Sequence, residues 1–96
     1  MAEQTTTATI DEQLSEKRAQ LTQAQITQTD SYALYLKVLK AKAIVPETET
    51  DKLEKLDKLL YQHFISYQHA LEESQKLQVE VSELESQKFL EELLAE

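Results

Sequence analysis

Apolar residues recur through most of this chain at steps of three and four, the spacing of one face of an α-helix. The pattern is clearest over residues 51–96, which contain neither Pro nor Gly. One register there reads Leu53, Leu56, Leu60, His63, Tyr67, Ala70, Ser74, Leu77, Val81, Leu84. It holds for about four and a half heptads, the repeat by which one helix packs along another. Phe64 and Leu71 widen the stripe in its first half. Past Leu84 the same register would put Lys88 and Glu91 in the seam, so it is expected to fail there. The apolar residues move instead to Phe89, Leu90, Leu93 and Leu94. Either the helix breaks near Ser86, or its last turns face a different neighbour.

The upstream half is less regular. Residues 1–8 are polar and Thr-rich and read as a disordered head. Thr9-Ile10-Asp11-Glu12 fits a capping box, with the Thr hydroxyl and the Glu carboxylate satisfying each other's backbone amides. Ile10, Leu14 and Leu21 follow at helical spacing. Residues 22–30 are rich in Gln and Thr, with only Ala24 and Ile26 apolar, so a kink is expected near 22–31. Residues 32–45 are the most apolar stretch of all. One face carries Tyr32, Tyr35, Leu36, Leu39 and Ala43, and an adjoining face carries Leu34, Val38, Ala41 and Val45. An arc this wide exceeds what one neighbouring helix covers.

Pro46 is the only Pro in the chain. It disfavours helix at Val45 and suits a helix start. Thr48 and Asp51 resemble a second capping box. The sequence therefore predicts a first helix over 9–45, a turn at 46–50 and a long second helix over 51–96. A short link makes the helices antiparallel neighbours. The fold class expected is all-α, an elongated antiparallel helical hairpin or coiled coil completed by oligomerisation or by partner helices. At ~1.5 Å per residue the second helix would span roughly 65–70 Å and the first roughly 50 Å. About ten residues carrying Phe89, Leu90, Leu93 and Leu94 would then overhang.

Composition supports this class. Gly is absent, and sheets, tight hairpins and phosphate loops depend on it. With 96 residues there is room for one domain. Cys is absent too, which excludes disulfides, thiol nucleophiles and Cys-based zinc sites. The N-terminus has no basic and apolar secretory signal, and no apolar run suffices for a membrane span. A cytoplasmic location, with the nucleus as alternative, is expected. The net charge of -8 is uneven: residues 31–45 carry three Lys and no acid, while residues 46–96 carry thirteen acids and five bases. That balance disfavours nucleic-acid binding.

Candidate chemistry is sparse. His63 and His69 stand six apart, outside the spacing of metal ligands on one helix face, and no metal or cofactor site is expected. Glu72/Glu73, Glu80/Glu83 and Glu91/Glu92 pair carboxylates without a cleft to perturb them. No enzyme activity and no small-molecule substrate are expected. Lys37, Lys40, Lys42, Lys52, Lys55 and Lys58 gather basic charge near the turn. They read either as a docking patch for an acidic surface or as ion pairs with Glu47, Glu49, Glu54 and Asp57. Leu90-Glu-Glu-Leu93-Leu94 matches the short LxxLL pattern of groove-docking helices. Tyr35-Leu-Lys-Val38 and Tyr61-Gln-His-Phe64 match a tyrosine sorting pattern, but within helices and with buried rings expected.

The residues expected to make protein interfaces are therefore Tyr32, Tyr35, Leu36, Leu39, Leu53, Leu56, Leu60, Phe64, Tyr67, Leu77, Val81, Leu84, Phe89, Leu90, Leu93 and Leu94. The expected role is a non-enzymatic structural or adaptor subunit of a multi-protein helical complex, with a hetero-oligomer favoured over a homodimer. The alternative is a small acidic chaperone or scaffolding protein that shields a client's apolar helix, as secretion chaperones and phage scaffolds do. A third reading comes from Ile10-Asp11-Glu12-Gln13, Lys17-Arg18, Leu21, Ile26-Thr27 and Thr29-Asp30. This segment, about a quarter of the chain, resembles the N-terminal helix of a small subunit of the fungal DASH kinetochore ring. The Asn-Trp pair of that family's second helix is missing, since the chain contains no Trp. The resemblance implies a helical subunit of a ring assembly.

Overall fold

A computed structural model describes residues 9–95; the head expected at 1–8 lies outside the described residues. The described residues form two helices, α1 (Ile10–Ala43) and α2 (Thr50–Ala95), packed as an antiparallel hairpin of 72 × 30 × 13 Å. α1 opens with the capping box. The Thr9 N–H donates to Glu12 Oε1 at 2.9 Å, and the Glu12 N–H donates to Thr9 Oγ1 at 3.1 Å. From there α1 runs unbroken through 22–31, because the stretch contains good helix formers and no Pro or Gly. α2 likewise continues past Ser86 without interruption.

α1 ends at Ala43, two residues before the sequence suggests. The Ile44 and Val45 amides donate back to the Ala41 and Lys42 carbonyls, closing the last turn. After Pro46 the Glu49 carbonyl accepts from the Leu53 N–H, which makes Glu49 rather than Thr48 the residue that caps α2. Contacts between the helices fix the register: Asp11 meets Lys88, Tyr32 meets Tyr67, Tyr35 meets Phe64 and Lys42 meets Asp57. Ile10 consequently lies level with Phe89. The overhang expected to span about ten residues is shorter, at residues 90–95. The extra length of α2 is shared between the two ends, because its first turns rise beside the loop and not beside α1.

Every α2 position of the expected heptad register is buried or half-buried, from Leu53 to Leu84. The register does not fail after Leu84: Lys88 takes the next seam position, half-buried and paired with Asp11. α1 supplies the opposite row, Ile10, Leu14, Lys17, Leu21, Ala24, Gln28, Ser31, Tyr35, Val38 and Lys42, with Val45 just past its end, again alternating three and four. The fully buried core lies toward the open end, where Leu14, Val81 and Leu84 cluster with Ile10 and Leu21 against them. Leu14 and Leu77 are each 2% exposed.

Nearer the turn the seam is only half-covered. The apolar stretch at 32–45, the richest in the sequence, is the least hidden: Tyr32, Leu34, Leu36, Leu39 and Ile44 are all exposed. Its apolar arc is wider than the contact that α2 can make with it.

Polar seam residues are handled in two ways. Long side chains lay their stems on the seam and send their charge outward. Lys17 Nζ reaches Glu80 Oε1 at 3.0 Å, a contact of charge and not of aligned donor and acceptor, since that oxygen, shut off from solvent, has no hydrogen-bond partner. Ser31 and Ser74 are buried outright, and the Ser74 hydroxyl also lacks a hydrogen-bond partner.

Three expectations follow. In urea unfolding, Leu77→Ala should lower stability by about 2–5 kcal/mol, the range for a fully buried Leu. Leu39→Ala, at a 43% exposed position, should cost far less. Ser74→Ala should leave stability equal or higher, because it removes a buried hydroxyl that gains no bond. At the cap, the hydrogen bond from the Thr9 backbone, and after it the Thr9 hydroxyl, hold the Glu12 carboxyl below its ordinary pKa. A folded-state pKa below the unfolded one stabilises above the ordinary carboxylate range and is lost as pH falls through the lowered value. Carboxyl NMR should therefore show Glu12 titrating low, and Thr9→Ala, which removes the hydroxyl and keeps the backbone N–H, should raise it only part of the way back.

Candidate interaction surfaces

The heptad register sorts the remaining residues onto two flanks of the hairpin. On one flank, toward the turn, four aromatic side chains converge. The Tyr32 and Tyr67 rings lie with centroids 5.5 Å apart, and those of Tyr35 and Phe64 lie 6.3 Å apart, both pairs tilted. Between them is a small apolar cleft of about 90 Å³. Tyr32 is 49% exposed and Phe64 42%, so the rings shape the surface without closing over it. Leu39, one heptad on from Tyr32, extends the patch, and Leu36 adjoins it.

Farther from the turn the same flank becomes polar but uncharged. A groove there is lined by Gln25, Gln28, Thr29, Leu71, Ser74, Gln75 and Gln78. Beyond it Arg18 Nη2 meets Glu85 Oε2 at 2.8 Å. The opposite flank carries a shallow, polar groove lined by residues such as Gln20, Gln23, Thr27, Ser66, His69 and Glu73. One flank is aromatic, the other hydrophilic over most of its length; Leu34 and Leu59 are its exposed apolar residues near the turn.

The open end forms a second apolar patch. Phe89 is 62% exposed and Leu94 77%, with Leu90 and Leu93 each a little over half exposed. These four residues, level with or beyond the start of α1, turn away from the seam that Lys88 occupies. Lys88 Nζ sits 2.8 Å from Asp11 Oδ1. The Asp11 carboxylate, by hydrogen bond and then by charge, raises the Lys88 pKa above its ordinary value.

The expected interface residues divide accordingly. Leu77, Val81 and Leu84 are buried within the hairpin, and Leu53, Leu56, Leu60, Tyr35 and Tyr67 are half-buried in its seam. Tyr32, Leu36, Leu39, Phe64, Phe89, Leu90, Leu93 and Leu94 remain exposed. Sequence reasoning passed over Tyr61, Val79 and Ile26, which are also exposed. Tyr61 departs from the buried ring expected of it. The signal was available: none of the three falls on a seam row.

The polar candidates stay apart. His63 is half-buried in the seam, while His69 is exposed on the hydrophilic flank. Among the described residues no three His, Asp or Glu side chains gather as metal ligands would. Among the described residues no helix is long and apolar enough to cross a membrane. At the turn, Lys42 pairs with Asp57 at 2.6 Å and Lys52 with Glu49 at 2.6 Å. Lys37, Lys40, Lys55 and Lys58 make no ion pair among the described residues.

Comparison with protein-family models, with curated proteins and with solved structures finds no match for this chain.

The Lys88–Asp11 pair closes the open end of the hairpin, and its pH dependence has a definite sign. A raised folded-state pKa stabilises fully below the ordinary lysine range and is lost as pH climbs through the raised value. Amide exchange at Ile10–Gln13 should quicken in Lys88→Gln at neutral pH. In the wild-type chain the same amides should quicken, beyond the intrinsic base catalysis of exchange, only at strongly alkaline pH.

Proposed function

We propose that this protein is a non-enzymatic structural or adaptor component of a helical assembly, acting by protein–protein contact. The observation that carries this reading is the surplus of apolar surface. After the two helices have covered each other, the hairpin still exposes two clustered apolar patches, one aromatic near the turn and one at 89–94. Exposed clusters of this kind mark interaction surfaces, and amphipathic helix ends present them as docking faces for other helices. Burying a Leu or Phe side chain is worth roughly 1.5–3 kcal/mol before ordering costs, so three or four suffice for a specific contact.

The same geometry supports the absence of catalysis. The carboxylates lie along an open surface, and the clefts between the helices are shallow. In this reading the working location is cytoplasmic, and the partners are protein helices.

The test is affinity purification of the tagged full-length chain after in-cell cross-linking. A defined set of helical partners should co-purify with the wild type and be lost from Leu90→Ser/Leu94→Ser. Circular dichroism of that variant should match the wild type, because both positions lie outside the seam. Undiminished recovery with the variant would exclude the open-end patch as the contact, and recovery of no partner at all, this chain included, would sink the assembly reading.

A further inference from the structure

We propose that the occupant of the aromatic flank is a second copy of this chain, packed antiparallel. The open end of each copy, through Phe89 and Leu93, lies on the patch formed by Tyr32, Tyr35, Phe64 and Tyr67 of the other. The inference rests on reading the hairpin as an assembly component and names its first partner.

The first argument is placement. A two-fold interface must be self-complementary, so both patches have to lie on one flank. Gln75 lines the groove that continues the aromatic flank. Phe89 stands two heptads beyond Gln75 and so occupies the same row, with Leu93 one helical turn farther on. Turning a second hairpin end for end brings each Phe89 onto the other copy's aromatic cleft in one operation. The two-fold axis then falls beside Gln78, where the flank is lined by glutamines, and no like charges meet on the axis.

The second argument is area. With the axis at Gln78 the copies overlap along roughly 34 residues, or ~50 Å of helix. A strip of that length and ~10–12 Å width removes about 1,000–1,200 Å² from water over both copies, the size at which specific interfaces begin.

The test uses the full chain. Sedimentation equilibrium at micromolar concentration should give twice the 11.1 kDa chain mass. Phe89→Ser/Leu93→Ser should give a helical monomer, and so should Tyr32→Ser/Phe64→Ser. Mixing the two variants restores one intact contact of the two and should return part of the dimer. The chain has no native Cys, so single cysteines report orientation. Gln78→Cys should oxidise to a covalent dimer, and Leu93→Cys should not. A helical monomer, a higher oligomer, or self-cross-linking of Leu93→Cys would each overturn the antiparallel dimer. A monomer that still recovers other helical proteins from cells would overturn it while leaving the proposed function standing; a monomer that recovers none would remove both.

Discussion

Two helices lying side by side can hide only one stripe of each other, and this chain carries more apolar surface than two stripes. Everything else in the structure follows from that limit. The seam takes a leucine or a small residue at most levels, and the remaining apolar side chains are left on the outside. Many of them collect at the aromatic cluster near the turn and at the end of α2, while others, such as Ile26 and Val79, stand apart. A third helix, or a third and fourth, would complete what the hairpin begins.

The seam itself is a compromise between strength and register. Lys17, Gln28, Ser31 and Lys42 on α1, and His63, Ser74 and Lys88 on α2, occupy positions where Leu or Ile would bind more tightly. Polar residues at such positions define one alignment at a cost in stability. Here the cross-helix ion pairs, Asp11 with Lys88, Lys17 with Glu80, Arg18 with Glu85 and Lys42 with Asp57, fall at the levels that a single register demands. Each is exposed enough to contribute little energy by itself. Together they penalise a slip of one heptad, which would separate all four.

Much of this was legible beforehand. The absence of Gly, the lone Pro46 and the heptad of leucines specify a helical hairpin, and the α2 seam can be read residue by residue. The capping box at Thr9 and Glu12 was equally plain. What the pattern concealed was the continuation of each seam through polar residues. Lys88 looks like the end of a stripe until Asp11 is known to face it, and residues 22–31 look like a kink until Ala24, Gln28 and Ser31 are seen to keep the spacing of three and four. The apolar content of 32–45 misled in the other direction. Hydrophobicity says that a segment would gain from burial, and it does not say that a neighbour is wide enough to provide it.

The position of the buried core along the hairpin has a consequence for how the chain acquires its structure. Contacts near the turn join residues close in sequence, and they are the half-covered ones. The well-buried contacts join Leu14 to Val81 and Leu84, almost the whole chain apart. Closing that loop costs entropy that the weak local pairs repay only in part. During synthesis, residues 32–45 emerge well before Leu77, Val81 and Leu84 exist to anchor α1. For that interval the most apolar segment of the protein has no settled place within its own chain, and a helix supplied from outside would meet it in its most receptive state.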